Sequence, residues 1–217
     1  MRTLAIETAT EACSLALFDS GELIARDHRV LGRGHAEALI PMIAGLPDRG
    51  RAERILVSLG PGSFTGVRIG LASARALGVA WGSQVLGYPT LALVAAMARA
   101  QRPGEPLTVS MKGGHGEWFV QNFDSEGGAL GEAESLAPDA AARNQRAALI
   151  VGSSAEALVA HAGGGLEAIA LLPEAARVML LDQSALTSRL SPIYGRPPDA
   201  RPQSPAPQGN SSEASLA

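Results

Sequence analysis

Cysteine is almost missing from these 217 residues: Cys13 stands alone, which excludes an intrachain disulfide and fits a reducing compartment. Lysine is as scarce, with Lys112 the single example. Basic residues number 18 against 21 acidic ones, a net charge of −3, so the chain lacks the electropositive footprint of an RNA-gripping protein. No apolar run approaches the ~20 residues that span a bilayer. The short apolar run at the N-terminus is broken by Glu7, so no signal peptide is expected there. These absences lead to the expectation of a cytoplasmic protein. The four histidines, His28, His35, His115 and His161, form no His-x-x-x-His pair, so no metal site is expected. What is present, 46% apolar and 18% charged residues, describes a globular chain long enough for one large or two small domains.

The organising stretch is Gly60-Pro61-Gly62-Ser63-Phe64-Thr65-Gly66-Val67-Arg68-Ile69-Gly70, which follows the apolar run Ile55–Leu59 and enters a helical pattern ending near Trp81. A strand, a glycine-rich turn and a helix start can bind anions through free N–H groups and the helix dipole. Two nucleotide patterns come close and neither is complete. The dinucleotide fingerprint has Thr65 where its last glycine belongs, and no Asp or Glu occurs between Glu53 and Glu105 to hold a ribose. A P-loop needs Gly-Lys-Ser/Thr, which does not occur.

The helix launched by this loop carries only Arg68 and Arg75 as charges. A helix without a polar face is normally buried on more than one side. Gly66, Gly70, Ala74 and Gly78 recur every four residues and form one stripe of minimal side chains. Each helical glycine costs about 1 kcal/mol relative to alanine, so the stripe calls for close approach of another backbone. A partner's helix is the expectation adopted; packing on the chain's own sheet is the alternative. On the first reading Gly70→Leu leaves the fold intact and abolishes association. Arg68 and Arg75 share a helical face and are either solvated or paired with a partner's carboxylates.

Along the chain, strands are expected at 3–7, 14–19 and 22–30, with Gly21 turning the second into the third. A helix is expected at 35–46, burying Ala38, Leu39, Met42 and Ile43. The strand at 55–59, the loop and its helix, a strand at 85–87 and a helix at 89–100 follow. Three strands succeeded by alternating helix and strand predict an α/β fold of actin-like, ribonuclease-H-like (ASKHA) lobes, a mixed sheet flanked by helices. Residues 1–102 form the first lobe. Arg102-Pro103-Gly104-Glu105-Pro106 reads as a linker. A reduced second lobe covers 103–195, with strands at 107–111 and 118–123 and helices at 153–162 and 174–188. Residues 196–217, rich in proline and serine, read as a disordered tail. No sequence repeat is visible. Lys112-Gly113-Gly114-His115-Gly116-Glu117 reads as a hairpin turn, with nucleic-acid contact as a second option.

The run Gly60 to Gly70, the start Met1-Arg2-Thr3-Leu4-Ala5-Ile6-Glu7-Thr8-Ala9-Thr10-Glu11-Ala12-Cys13-Ser14, Gly34-His35-Ala36-Glu37 and Pro192-Ile193-Tyr194-Gly195-Arg196 together resemble the TsaB (YeaZ) family. That family is the dimerisation subunit of the bacterial machinery placing threonylcarbamoyl on the tRNA adenosine beside the anticodon. The resemblance implies a non-catalytic scaffold. It would bind and activate a TsaD-like catalytic subunit through its first two helices, with a TsaE-like ATPase joining the heterodimer. A homodimer through the same surface, and contact with tRNA only through the complex, are further implications. ATP and metal are expected on the partner subunits, and no cofactor or catalytic residue on this chain. The interface candidates are His35, Leu39, Gly62, Ser63, Phe64, Thr65, Gly66, Val67, Arg68, Gly70, Ala74 and Gly78. His35 either caps its helix or meets the partner. The competing reading is an autonomous actin-fold ATPase or kinase, or an M22-type peptidase. Glu7, standing where actin-type ATPases hold an aspartate, is its best general base, although the turn lacks their phosphate-binding glycines. An aspartate expected near the start of the 112–117 turn is also absent.

Overall fold

A computed structural model describes residues 1–195. Its first sheet is built from β1 (Arg2–Glu7), β2 (Ala12–Asp19), β3 (Glu22–Val30), β4 (Arg54–Ser58) and β5 (Gln84–Tyr88), with α1 (His35–Ala44) before β4, α2 (Phe64–Trp81) before β5 and α3 (Thr90–Gln101) after it. The strand order is β3-β2-β1-β4-β5; β1, β2 and β3 form an antiparallel meander, and β4 and β5 run parallel to β1.

The second sheet contains β6 (Leu107–Lys112), β7 (Trp118–Phe123), β8 (Glu134–Leu136), β9 (Leu149–Val151) and β10 (Glu167–Ile169). Helices α4 (Pro138–Asn144) and α5 (Ala155–Ala162) precede β9 and β10. Its order, β10-β9-β6-β7-β8, read from the other edge, matches the first sheet strand for strand, in the same parallel and antiparallel senses. The structure thus supplies a repeat that the sequence does not show. The last three strands of the second lobe have only three residues each, too short to carry a recognisable pattern.

Alternation along the strands divides the core into layers. Leu4, Ile6, Leu15, Leu17, Ile55 and Val57 face α1 and α2, meeting Leu39, Met42, Ile43, Leu71 and Ala74. The alternate residues Ala5, Ala16, Phe18 and Leu56 face the opposite way, towards Leu93 and Met97 of α3. The other side of α3, Leu91, Val94, Ala95 and Ala98, packs on Leu107, Val109, Phe119 and Val151 of the second sheet. Val120 and Ile150 meet α4 and α5 on its far side. Both faces of each sheet are covered, so the central strands β1 and β6 are buried along almost their whole length, with Thr3, Glu7, Thr108 and Ser110 as their buried polar residues.

Two expectations about the second half change. The helix predicted at 174–188 is two short 3-10 turns, Ala175–Leu180 and Gln183–Ala185. The stretch 175–193 packs on the first lobe: Val178 packs beside Phe18, Thr187 bridges Gly87, and the Ile193 N–H donates to Leu59 O. Residues 102–106 join α3 to β6, with Arg102 donating to Glu105 at 3.1 Å and to Glu167 at 2.9 Å. The expectation for 196–217 lies outside the described residues.

Candidate functional site

The turn after β1 and the entrance to α2 are knitted together by backbone and small side chains. Ser63 N–H donates to Ala9 O at 2.7 Å, and Thr8 Oγ1 donates to Gly66 O at 2.8 Å. The Ser63 hydroxyl caps α2 by accepting from Gly66 N–H at 3.2 Å. A Cβ added to Gly62 would lie 2.1 Å from Ala9 O, and one added to Gly66 2.1 Å from Thr8 O. Further along α2, a Cβ on Gly70 would meet Thr8 Oγ1 at 2.3 Å, and one on Gly78 would meet Val85 at 2.5 Å. The small-residue stripe therefore lies against the chain's own strands, and the expectation that it receives a partner's helix is corrected.

The same correction covers other interface candidates. Leu39 is wholly buried in the first core, Val67 is 2% exposed and Ala74 is 0% exposed. His35 is buried too, its Nε2 3.2 Å from Ala12 O, so it anchors the start of α1 internally. Gly62 is half-buried against Ala9. Ser63, Phe64, Thr65 and Arg68 remain exposed.

Glu7 ends β1 fully buried, accepting from Ala9 N–H at 2.7 Å and from the Tyr88 hydroxyl at 3.3 Å. Burial pushes its carboxyl up to about 7, with the Ala9 N–H working in the opposite direction. With 0% exposure, it holds the turn from within the core. Cys13 is likewise buried, and burial pushes its thiol up to about 11, away from nucleophilic use. Opposite this turn, the β6–β7 hairpin at 112–117 brings Lys112 Nζ to 3.7 Å from Glu11 Oε1, so the two lobes' first hairpins touch. Among the described residues no cluster of His, Cys, Asp or Glu could hold a metal ion. No helix there is long and apolar enough to cross a membrane.

What α1 and α2 present outward was not singled out in the sequence. Ala36, Glu37, Ile40, Pro41 and Ala44 of α1 are exposed, as are Ala72, Arg75, Ala76, Val79 and Ala80 of α2. Val79 is 88% exposed and Ile40 50%. The signal was available: positions 72, 76 and 79–80 lie opposite the small-residue stripe on the helical wheel. Neither arginine of α2 is simply solvated. Arg68 lies 3.5 Å from the centroid of the Phe64 ring and donates to the Tyr194 hydroxyl at 3.1 and 3.3 Å. Arg75 donates to Leu190 O at 2.6 Å. Together they pin the returning C-terminal segment along the helix.

Two lobes of identical strand order, each a meander followed by two parallel strands and flanked by helices, define an actin-like, ribonuclease-H-like protein. The chain's residues 29–184 match the family model described as TsaD: tRNA N6-adenosine threonylcarbamoyltransferase. The Escherichia coli (strain K12) tRNA threonylcarbamoyladenosine biosynthesis protein TsaB is 34% identical over 134 residues, 58% of each chain. An uncharacterized protein of Mycobacterium tuberculosis is 31% identical over 206 residues, covering 92% of this chain and 93% of its own. Among solved structures, YeaZ from Pseudomonas aeruginosa superposes with a TM-score of 0.74 at 26% identity, covering 89% of this chain and 99% of that one. Another, an uncharacterized Pseudomonas aeruginosa protein with similarity to peptidase YeaZ, gives 0.76 at 27% identity, covering 90% and 99%. The chain belongs to the TsaB (YeaZ) family.

Proposed function

We propose that this chain serves tRNA threonylcarbamoyladenosine biosynthesis as a non-catalytic scaffold, binding and activating a TsaD-like catalytic subunit through the outward faces of α1 and α2. The observation carrying this reading is the composition of that surface. Ile40, Pro41, Ala44, Ala72, Ala76, Val79 and Ala80 are exposed there, and only Glu37, Arg68 and Arg75 are charged. An exposed apolar surface of this kind is characteristic of a protein interface. The burial of Glu7 and Cys13 supports a role without reacting atoms. The scaffold would act by differential binding, stabilising the partner's competent conformation.

A TsaE-like ATPase joins the heterodimer in this reading, ATP and metal reside on the partner subunits, and tRNA is met only through the complex. Alone, the chain forms a homodimer through the same faces. The setting is the cytoplasm. Co-purification with the TsaD-like subunit, followed by tRNA modification assays with and without this chain, tests the proposal. Association together with modification dependent on the chain is expected. Full modification by the catalytic subunit and ATPase alone would overturn it.

A further inference from the structure

The Pro192–Gly195 segment of the C-terminal motif is held at four points around the α2 entrance. The Ile193 N–H donates to Leu59 O, and its carbonyl lies so near Gly60 that a Cβ there would be 2.8 Å away. Gly195 O accepts from Ser135 N–H at 2.8 Å, reaching the second lobe. Tyr194 turns outward: its ring lies 5.6 Å from that of Phe64, and its hydroxyl takes both donors from Arg68. Phe64 is 55% exposed and Tyr194 38% exposed. The result is an exposed layer of ring, guanidinium and ring, assembled from residues 126 positions apart.

This layer continues the surface of α2. Phe64, Arg68 and Ala72 are each one turn apart on the exposed side, leading on to Ala76 and Val79. Among the described residues no carboxylate lies within ion-pair distance of Arg68, and its hydrogen-bond acceptor is the tyrosine hydroxyl. The Nε and Nη2 donors are oriented by Tyr194, the cation is stacked on Phe64, and Nη1 has no acceptor among the described residues. A guanidinium fixed in this way loses little freedom on engaging a carboxylate. Arginine and tyrosine side by side are also the residue types that dominate interface energetics.

We infer that Phe64, Arg68 and Tyr194 form the anchor of the partner surface, receiving an acidic side chain flanked by apolar residues on the docked subunit. The returning C-terminal segment thereby becomes part of the interface and does more than tie the lobes together. This inference rests on the α1–α2 reading, and the test separates the two. Dissociation constants for the catalytic subunit are measured at low and high salt for the full chain and for Arg68→Gln, Tyr194→Ala and Ala76→Glu. Thermal melting of each variant accompanies the binding data.

Arg68→Gln is expected to weaken binding about tenfold and to flatten its salt dependence, as loss of an ion pair requires. Tyr194→Ala should weaken it comparably, and the double variant should be little worse than either single one, because the residues act as a unit. Arg68 is on the surface, so its variant remains informative even where Tyr194→Ala melts early. Arg68→Gln within twofold of wild type, with unchanged salt dependence, overturns the anchor while loss of binding by Ala76→Glu leaves the surface standing. Wild-type affinity in Ala76→Glu would instead sink the surface itself, and the anchor with it.

Discussion

Helices α2 and α3 are alike in sequence and opposite in circumstance. Both are nearly free of charge: Arg68 and Arg75 in one, Arg99 in the other. Helix α3 uses that composition within the chain, with Leu93 and Met97 against the first sheet and Leu91, Val94, Ala95 and Ala98 against the second. Helix α2 has a sheet on one side only. Its glycines close onto the turn after β1 and onto β5, while Ala72, Ala76, Val79 and Ala80 face outward. A helix with no polar face wants apolar cover on both sides; α3 has a sheet on each, while α2 has one sheet, with α1 and the returning segment at its flanks and the rest of its outer face open. The comparison teaches that the missing second neighbour, and not the glycine stripe, points to a partner.

The contrast can be broken most severely in α3. Val94→Asp places an unpaired charge between two sheets, at a residue with 0% exposure. A loss of at least ~4 kcal/mol is expected, enough to prevent folding, read by urea denaturation or by absence of the folded chain. Gly70→Leu comes next. Its Cβ would lie 2.3 Å from Thr8 Oγ1, so the expected loss is ~3 kcal/mol of stability, whatever happens to association. A variant that melts like wild type would return the stripe to the outside of the molecule.

Glu7 sharpens the comparison at the turn on which α2 begins. Its folded-state carboxyl, near 7, lies above the 4.5 of an exposed glutamate, so the folded chain binds the proton more tightly than the unfolded one. The associated stability is fully present below about pH 4.5 and is lost as pH rises through 7, by about 3 kcal/mol. Glu7→Gln cannot titrate, so its stability relative to wild type should climb by that amount across the same window. A constant difference from pH 4 to 8 would contradict the burial. Tyr88→Phe is the mildest test: loss of the hydroxyl that donates to Ile6 O at 3.1 Å and to Glu7 should cost ~1 kcal/mol in thermal or chemical melts.

Much of the first lobe was legible because its elements are long and periodic. The strands at 3–7 and 55–59 and the helix beginning at His35 follow from apolar spacing, and Gly21 marks its turn. The second lobe was harder to read, since β8, β9 and β10 are three residues each and alanine-rich segments favour helix over the 3-10 turns that form at 175–185. At the site, sequence spacing found the small-residue stripe but could not say which side of α2 it faced. Contact with Thr8 and Val85 is a tertiary fact, arising from residues outside the helix. Tyr194 entered as part of a family motif only; its meeting with Arg68 spans 126 positions, and no local pattern encodes it.

Hydroxyl-radical footprinting of the chain alone and in complex with a TsaD-like subunit tests the central claim side chain by side chain. Val79 and Ile40, 88% and 50% exposed in the isolated chain, should lose most of their labelling in the complex, while Leu130 on the second lobe keeps its own. A stable complex in which Val79 and Ile40 react as fully as before would place the partner elsewhere and contradict the account.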